Sequence, residues 1–261
     1  MDLGIAGKVA LVTAASSGLG RAMAVALAAE GVRVAVTGRN EERLDETVAA
    51  CRAHGVDAVG IAWDLADHGR AGEVVTRVVD ELGPVDILVN NTGGPPPTPA
   101  LGQDPALWES MYAAMVLPVI GLTDAVVGGM RERGWGRIIT STSGGPITPI
   151  PNLGVSNTLR ASLHSWSKTV ANEVAADGVT ANVIVPGRIA TPRVASLDRA
   201  RAEREGTSLE ETQAKGRATV PAGRYGDPEE YGAVAAFLAS RQAAYVNGSI
   251  VRVDGGQIPS V

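Results

Sequence analysis

Three consecutive hydroxyl residues, Ser141, Thr142 and Ser143, close a short β-branched run, Ile138-Ile139-Thr140, and a loop rich in glycine and proline follows them. Beyond the loop a long helical pattern opens near Val155. A strand end followed by a helix start places side chains at the C-terminal edge of a parallel sheet, where α/β proteins bind ligands. A second group sits near the N-terminus. The stretch TAASSGLG, Thr13 to Gly20, lies between the apolar run Val9–Val12 and an Ala-rich amphipathic helix that reaches about Glu30. A helix reached through glycines presents free N–H groups and the positive end of its dipole, which suits a phosphate. A third group ends the second apolar run, Val32 to Thr37, and reads Thr37-Gly38-Arg39-Asn40. An acid about 20 residues past such glycines would bind the ribose hydroxyl of NAD. Here there is none, and the Arg39 guanidinium can pair with the 2′-phosphate of NADP instead. This strand end therefore favours NADP(H) over NAD(H), although Arg39 could also stand in solvent at the head of the helix over residues 41–53.

The elements that must position these groups alternate along the chain. Strands are expected at Val9–Val12, Val32–Thr37, Val56–Ala62, Val85–Val89, Ile138–Thr140, Val179–Val185 and Ser249–Val253, the last approached by a hairpin-like turn at Tyr245–Gly248. Helices are expected after the first two glycine-rich turns, over Arg70–Leu82, as one long helix from Pro105 to about Met130, from Val155 onward, over 194–219, and from Pro228. Asp64 could serve as the N-cap of the third helix. Alternation of this kind implies an α/β fold: a single-domain, Rossmann-type, doubly wound parallel sheet of about seven strands, with helices on both faces and right-handed crossovers.

TAASSGLG resembles the Thr-Gly-x-x-x-Gly-x-Gly nucleotide motif of the short-chain dehydrogenase/reductase superfamily, with Ala14 where the first glycine usually stands. Asp64-Leu65 resembles the pair that contacts adenine, and Asn90-Asn91-Thr92-Gly93 resembles the Asn-Asn-Ala-Gly motif beside the ribose. Pro186-Gly187-Arg188-Ile189-Ala190-Thr191 resembles the Pro-Gly motif near nicotinamide and pyrophosphate. The resemblance covers nearly the whole chain and points to β-ketoacyl-carrier-protein reductases. It implies that Thr13, Ala15, Ser16, Ser17, Gly18, Leu19, Gly20, Arg39, Asn40, Asp64, Leu65, Asn90, Asn91, Thr92, Gly93, Pro186, Gly187, Ile189 and Thr191 hold the dinucleotide. It also implies a single domain over 1–261 with a mobile substrate lid at about 190–222, and a homodimer or homotetramer.

The family pattern breaks at the reaction centre. Ser143, six residues after Arg137, matches the serine that hydrogen-bonds the substrate carbonyl. Thirteen residues further the family has a tyrosine, and four beyond that a lysine; here those positions are Ser156 and Arg160. The family's active-site asparagine, seven residues after Trp108, is Met115. In a Tyr–Lys pair the ammonium lowers the phenol pKa and makes a usable acid/base. An aliphatic hydroxyl is a far weaker acid. Arginine keeps the charge and can pair with a carboxylate, but it does not readily exchange a proton. A Ser143–Ser156–Arg160 site could thus polarise a carbonyl or anchor an acid without the usual proton donor, or it could be a decayed site in which Ser156 only caps the helix. Tyr112, His164 and Tyr225 are the substitute acids within the chain, and Arg193 and Arg199 could meet an acidic substrate.

Bulk properties narrow the field. The net charge of −5 and pI near 5.3 argue against a nucleic-acid partner. The single cysteine, Cys51, excludes an internal disulfide framework and suits a reducing compartment, with an inert, half-buried thiol expected there. No signal-like segment is evident, and the apolar run Ala113–Leu122 is too short to span a bilayer, so a cytoplasmic protein without a membrane partner is expected. The sequence points to an NADP(H)-dependent oxidoreductase interconverting a small-molecule carbonyl and an alcohol, with no metal. The rival readings are a non-catalytic NADP(H)-binding protein and a non-redox enzyme on the same fold. Halohydrin dehalogenases exemplify the latter, but they keep the tyrosine and lose the nucleotide loop, the reverse of the pattern here.

Overall fold

The apolar runs pair as seven parallel strands in a computed structural model that describes residues 2–260. The strands are β1 (Val9–Val12), β2 (Arg33–Gly38), β3 (Ala58–Ala62), β4 (Ile87–Asn90), β5 (Gly136–Ser141), β6 (Val179–Pro186) and β7 (Ile250–Val253), in the order β3-β2-β1-β4-β5-β6-β7. The order reverses between β1 and β4, so the loops leaving these two strands diverge and open a crevice at the carboxyl edge of the sheet. Central strands are apolar on both faces: every residue of β1 and β4 is buried, as a sheet covered on both sides requires.

Helices α1 (Gly18–Ala29), α2 (Glu41–Arg52) and α9 (Pro228–Ala239) cover one face. Helices α3 (Ala71–Leu82), α5 (Leu117–Glu132) and α6 (Gly154–Val174) cover the other. Local sequence explains where several of them begin. Asn40 caps α2 by accepting the Arg43 N–H at 2.8 Å, and Glu41, Glu42 and Arg52 complement its dipole. At α9 Asp227 and Glu230 form a capping box with Pro228 in the first turn. Between β6 and α9 the chain forms α7 (Pro192–Glu205) and α8 (Leu209–Ala218), the helical pair that corresponds to the charged segment.

Four expectations need correction. The long helix from Pro105 is two helices, α4 (Pro105–Met115) and α5, separated at Val116. Pro118 has no N–H for the Ala114 carbonyl and its ring crowds that carbonyl, which breaks the ladder there. The pair is long and apolar enough to cross a membrane by length and composition, with a mean hydropathy of 1.7 over an 18-residue window within Pro105–Glu132. Part of its apolar surface nevertheless lies in the interior, where Met115, Val116 and Val119 pack with Val155, Leu159 and Leu163 of α6. Second, Asp64 does not cap α3. Its carboxylate accepts the Ala66 N–H in a local turn, and the helix begins only after a 3-10 turn at His68–Arg70. Third, the approach to β7 is a turn, because β7 pairs parallel with β6. Fourth, Cys51 is fully buried, and burial raises its thiol pKa to about 11. This deepens the expectation of an inert group.

Candidate active site

The turn after β1 is shaped by close backbone approach. Ala14 adopts a left-handed conformation, φ +45°, and its carbonyl accepts Asn91 Nδ2 at 3.3 Å. A side-chain carbon on Gly20 would collide with that same carbonyl and lie 2.9 Å from Ala15 Cα, so only glycine lets α1 start this close to β1. Thr13 ties the two central loops together, donating its hydroxyl to the Asn91 carbonyl at 2.6 Å and accepting the Asn91 N–H at 2.9 Å. Ala15 is spent internally, its N–H on the Thr37 carbonyl and its carbonyl on the Thr47 hydroxyl. Ser17 caps α1 by backbone position but makes no side-chain cap bond, which leaves the first N–H groups of α1 for a ligand. Ser16, Ser17 and Gly18 also line a groove of about 1220 Å³ beside α1, together with Arg21 and Arg43.

Around this turn the other predicted residues assemble. A side-chain carbon on Gly18 would sit 3.7 Å from Thr191 Cβ, so the loops after β1 and β6 face each other across the crevice. Thr191 caps α7 by accepting the Val194 N–H at 3.4 Å. Gly187 is required by packing, since a Cβ there would lie 2.6 Å from Asp254 Cα. Arg39 is 78% exposed and only 3.8 Å from Asp64, a surface pair weak enough to leave the guanidinium free. Asn90 Nδ2 donates to Thr123 at 3.2 Å, linking β4 to α5, whereas Asn90 Oδ1 and Thr92 Oγ1 are buried without a partner among the described residues. Beside them Gly93 faces open space, with nothing within 4 Å of where its side chain would be. Free helix N–H groups, unpartnered polar atoms and an open glycine on three converging loops fit a dinucleotide.

The three hydroxyls that end β5 go to different partners. Ser141 bonds the buried Tyr231 phenol at 2.9 Å, and Thr142 bonds His164 Nε2 at 2.9 Å. Only Ser143 is left for a substrate. Its oxygen accepts the Gly145 N–H at 3.2 Å, and its own proton remains available. Asn157, which sequence reasoning passed over, holds this loop by donating to the Ile150 carbonyl at 3.0 Å, and it packs so tightly on Gly145 that any Cβ there would collide with it.

Helix α6 carries its buried residues at 155, 156, 159, 160, 163, 167, 171 and 174, one stripe at helical spacing. Ser156 and Arg160 therefore face inward together. Ser156 lies inside the first turn, with Leu153 at the cap, so it is not the N-cap residue. Arg160 is 7% exposed and donates to three carbonyls: Gly93 at 2.7 Å, Thr92 at 3.2 Å and Ser141 at 3.5 Å. Burial lowers its pKa to about 10; the Tyr231 phenol opposes that shift and the nearby Arg193 cation adds to it. The group remains charged at neutral pH. Met115 is a core residue at 2% exposure, buried against α6.

Two of the three substitute acids are engaged elsewhere, and the third is exposed. His164 is held by Thr142 and its pKa is lowered by burial and by Arg160, which keeps it neutral. Tyr225 donates to Asp198 at 2.9 Å, and burial raises its pKa. Tyr112 is 40% exposed on α4. Tyr231, buried against the site from behind, has its phenol pKa pushed up by burial.

Comparison with known proteins extends this picture. Residues 13–257 match the family described as enoyl-(acyl carrier protein) reductase. The 3-oxoacyl-[acyl-carrier-protein] reductase FabG of Escherichia coli is 36% identical over 252 residues, covering 96% of this chain and 97% of the relative. The short-chain reductase protein NovJ of Streptomyces niveus is 36% identical over 251 residues, covering 95% of this chain and 93% of the relative. Among solved structures, L-sorbose reductase from Gluconobacter frateurii, complexed with NADPH and L-sorbose, superposes with a TM-score of 0.94 at 33% identity and full coverage of both chains.

Proposed function

The chain belongs to the short-chain dehydrogenase/reductase superfamily, and from that premise we propose that it is an NADP(H)-dependent oxidoreductase acting on a small-molecule carbonyl at a Ser143–Ser156–Arg160 site. One observation carries the reading. Ser143 accepts the Gly145 N–H, which fixes its oxygen and leaves its hydroxyl proton to meet a carbonyl oxygen. NADP(H), when bound, supplies or accepts the hydride. The first N–H groups of α1, with Ser16, Ser17 and Gly18, would hold the diphosphate, and Arg39 the 2′-phosphate. Support for the cofactor comes from the fit of these loops and from the NADPH in the L-sorbose reductase complex.

The protein's share of the chemistry is electrostatic. As the carbonyl becomes an alkoxide, Ser143 would donate to the developing negative charge and the buried Arg160 would supply a fixed cation. Neither replaces the phenol as an acid. Ser156, a hydroxyl on the buried stripe of α6, would pass a proton inward from water. Replacing Ser143 by alanine is expected to lower kcat about 10²-fold to 10³-fold, the usual effect of removing one such donor, with NADPH affinity retained. NADPH should also bind more tightly than NADH. Equal affinity would remove Arg39 from its role, and full turnover by the alanine variant would remove Ser143.

The engagement of His164 and Tyr225 elsewhere, with Tyr112 exposed on α4, favours a second reading, a non-catalytic NADP(H)-binding protein. NADPH binding without turnover of any carbonyl would establish it.

A further inference from the structure

Arg160 on α6 and Arg193 on the first turn of α7 reach one place from two elements. A side-chain carbon on Gly94 would lie 3.6 Å from Arg160 Nη2 and 3.8 Å from Arg193 Nη2. Both guanidinium groups are bonded to neutral main-chain carbonyls: Thr92, Gly93 and Ser141 for Arg160, and Pro95 at 2.8 Å for Arg193. Neither has a carboxylate partner among the described residues. The acid closest to hand on α7, Asp198, is already taken by Arg188 at 2.8 Å and by the Tyr225 hydroxyl.

Carbonyls satisfy N–H donors but do not cancel charge. Two guanidinium groups converging on one point repel each other, and the buried one, Arg160, has lost much of its hydration, while Gly94 between them is exposed and open to a ligand. Donor capacity also remains. A guanidinium has five N–H donors; Arg160 uses three and Arg193 one. What this arrangement lacks is an anion. The cofactor's phosphates are already accounted for at α1 and Arg39, on other loops of the crevice. The point between the arginines lies on the loop after β4, next to Gly93 and the stripe that carries Ser156.

We infer that Arg160 and Arg193 form a carboxylate-binding subsite, so that the substrate is a keto acid or the corresponding hydroxy acid rather than a neutral ketone or thioester. This rests on the proposed carbonyl chemistry of the same site and names its substrate class. Planar guanidinium groups match a carboxylate's two oxygens. Arg193, an exposed residue of α7, closes the subsite from the side of the charged segment. Arg160 closes it from below.

The test compares acetoacetate and levulinate with their methyl esters, in calorimetric binding to the NADP⁺-loaded protein and in NADPH oxidation. Each acid should bind about tenfold or more tightly than its ester, the effect of one charge-assisted hydrogen bond or more. Arg193→Gln should abolish that preference, Arg193→Lys should keep part of it, and Arg199→Gln, exposed on the same helix, should leave it intact. Equal binding of acid and ester by the wild type would overturn the inference, as would a preference that survives Arg193→Gln. Acid preference without any NADPH oxidation would support the subsite and sink the reductase reading. Oxidation of NADPH by esters as readily as by acids would do the reverse.

Discussion

Ala14 offers the most direct physical test of the nucleotide turn. Its φ of +45° lies in the left-handed region, where the Cβ of an L-residue crowds the backbone at a cost of roughly 1–2 kcal/mol. Neighbours hold it there. Its carbonyl is gripped by Asn91 Nδ2 at 3.3 Å, and the flanking amides of Thr13 and Ala15 are bonded to the Val89 and Thr37 carbonyls at 3.1 and 2.7 Å. The methyl itself is only partly buried, so little apolar contact depends on it. Ala14→Gly relieves the crowding but loosens the unfolded chain, an offset of roughly 0.5–1 kcal/mol. The net expectation is a stabilisation of about 0.5–1 kcal/mol, seen as a higher urea midpoint with unchanged m and a Tm raised by about 1–4 °C for a chain of this size. A variant less stable than wild type by about 0.5 kcal/mol or more would refute the strain argument.

Other outcomes follow from the same contacts. Tyr231→Phe deletes a hydroxyl bonded to Ser141 at 2.9 Å and to the Ile184 carbonyl at 3.1 Å. That carbonyl keeps the Thr142 N–H at 3.0 Å, so the loss should be about 1–2 kcal/mol by urea titration, at the low end for an orphaned buried group; a neutral result would contradict it. His164 has a pKa below its ordinary 6.5, so between that value and its lower folded value the unfolded state binds more protons. Stability should be level in this respect above about pH 6.5 and fall as the pH drops below it; the difference between wild type and His164→Gln isolates the effect, and a pH-independent difference would count against it.

Much of the fold was legible because periodicity and turn chemistry agree along the chain. The β1 limits are those expected from Val9–Val12, and the glycines of Thr13–Gly20 announced a strand–helix junction. The broken helix at Val116 carried a signal in Pro118, which was outweighed by the apolar pattern around it. Asp64 misled because an Asx turn and a helix cap share a sequence signature. The site was only half legible. Ser156 and Arg160 share a helical stripe, so their joint burial could be counted from spacing. The meeting of Arg160 with Arg193 could not, since the two lie on different elements and no periodicity relates them. Nor could the sequence say that Ser141 would pair with Tyr231 and Thr142 with His164, leaving Ser143 with a free proton.

The central claim, that a Ser–Ser–Arg site reduces a carbonyl without a phenol, is tested most directly by following deuterium from 4-deuterated NADPH into product. The wild type and a Ser156→Tyr, Arg160→Lys double variant would be run side by side on ketones, keto acids and β-ketoacyl thioesters. The account predicts that the wild type transfers the label to at least one carbonyl compound. Transfer by the double variant alone would contradict it, because the crevice would then be intact while the native residues do different work.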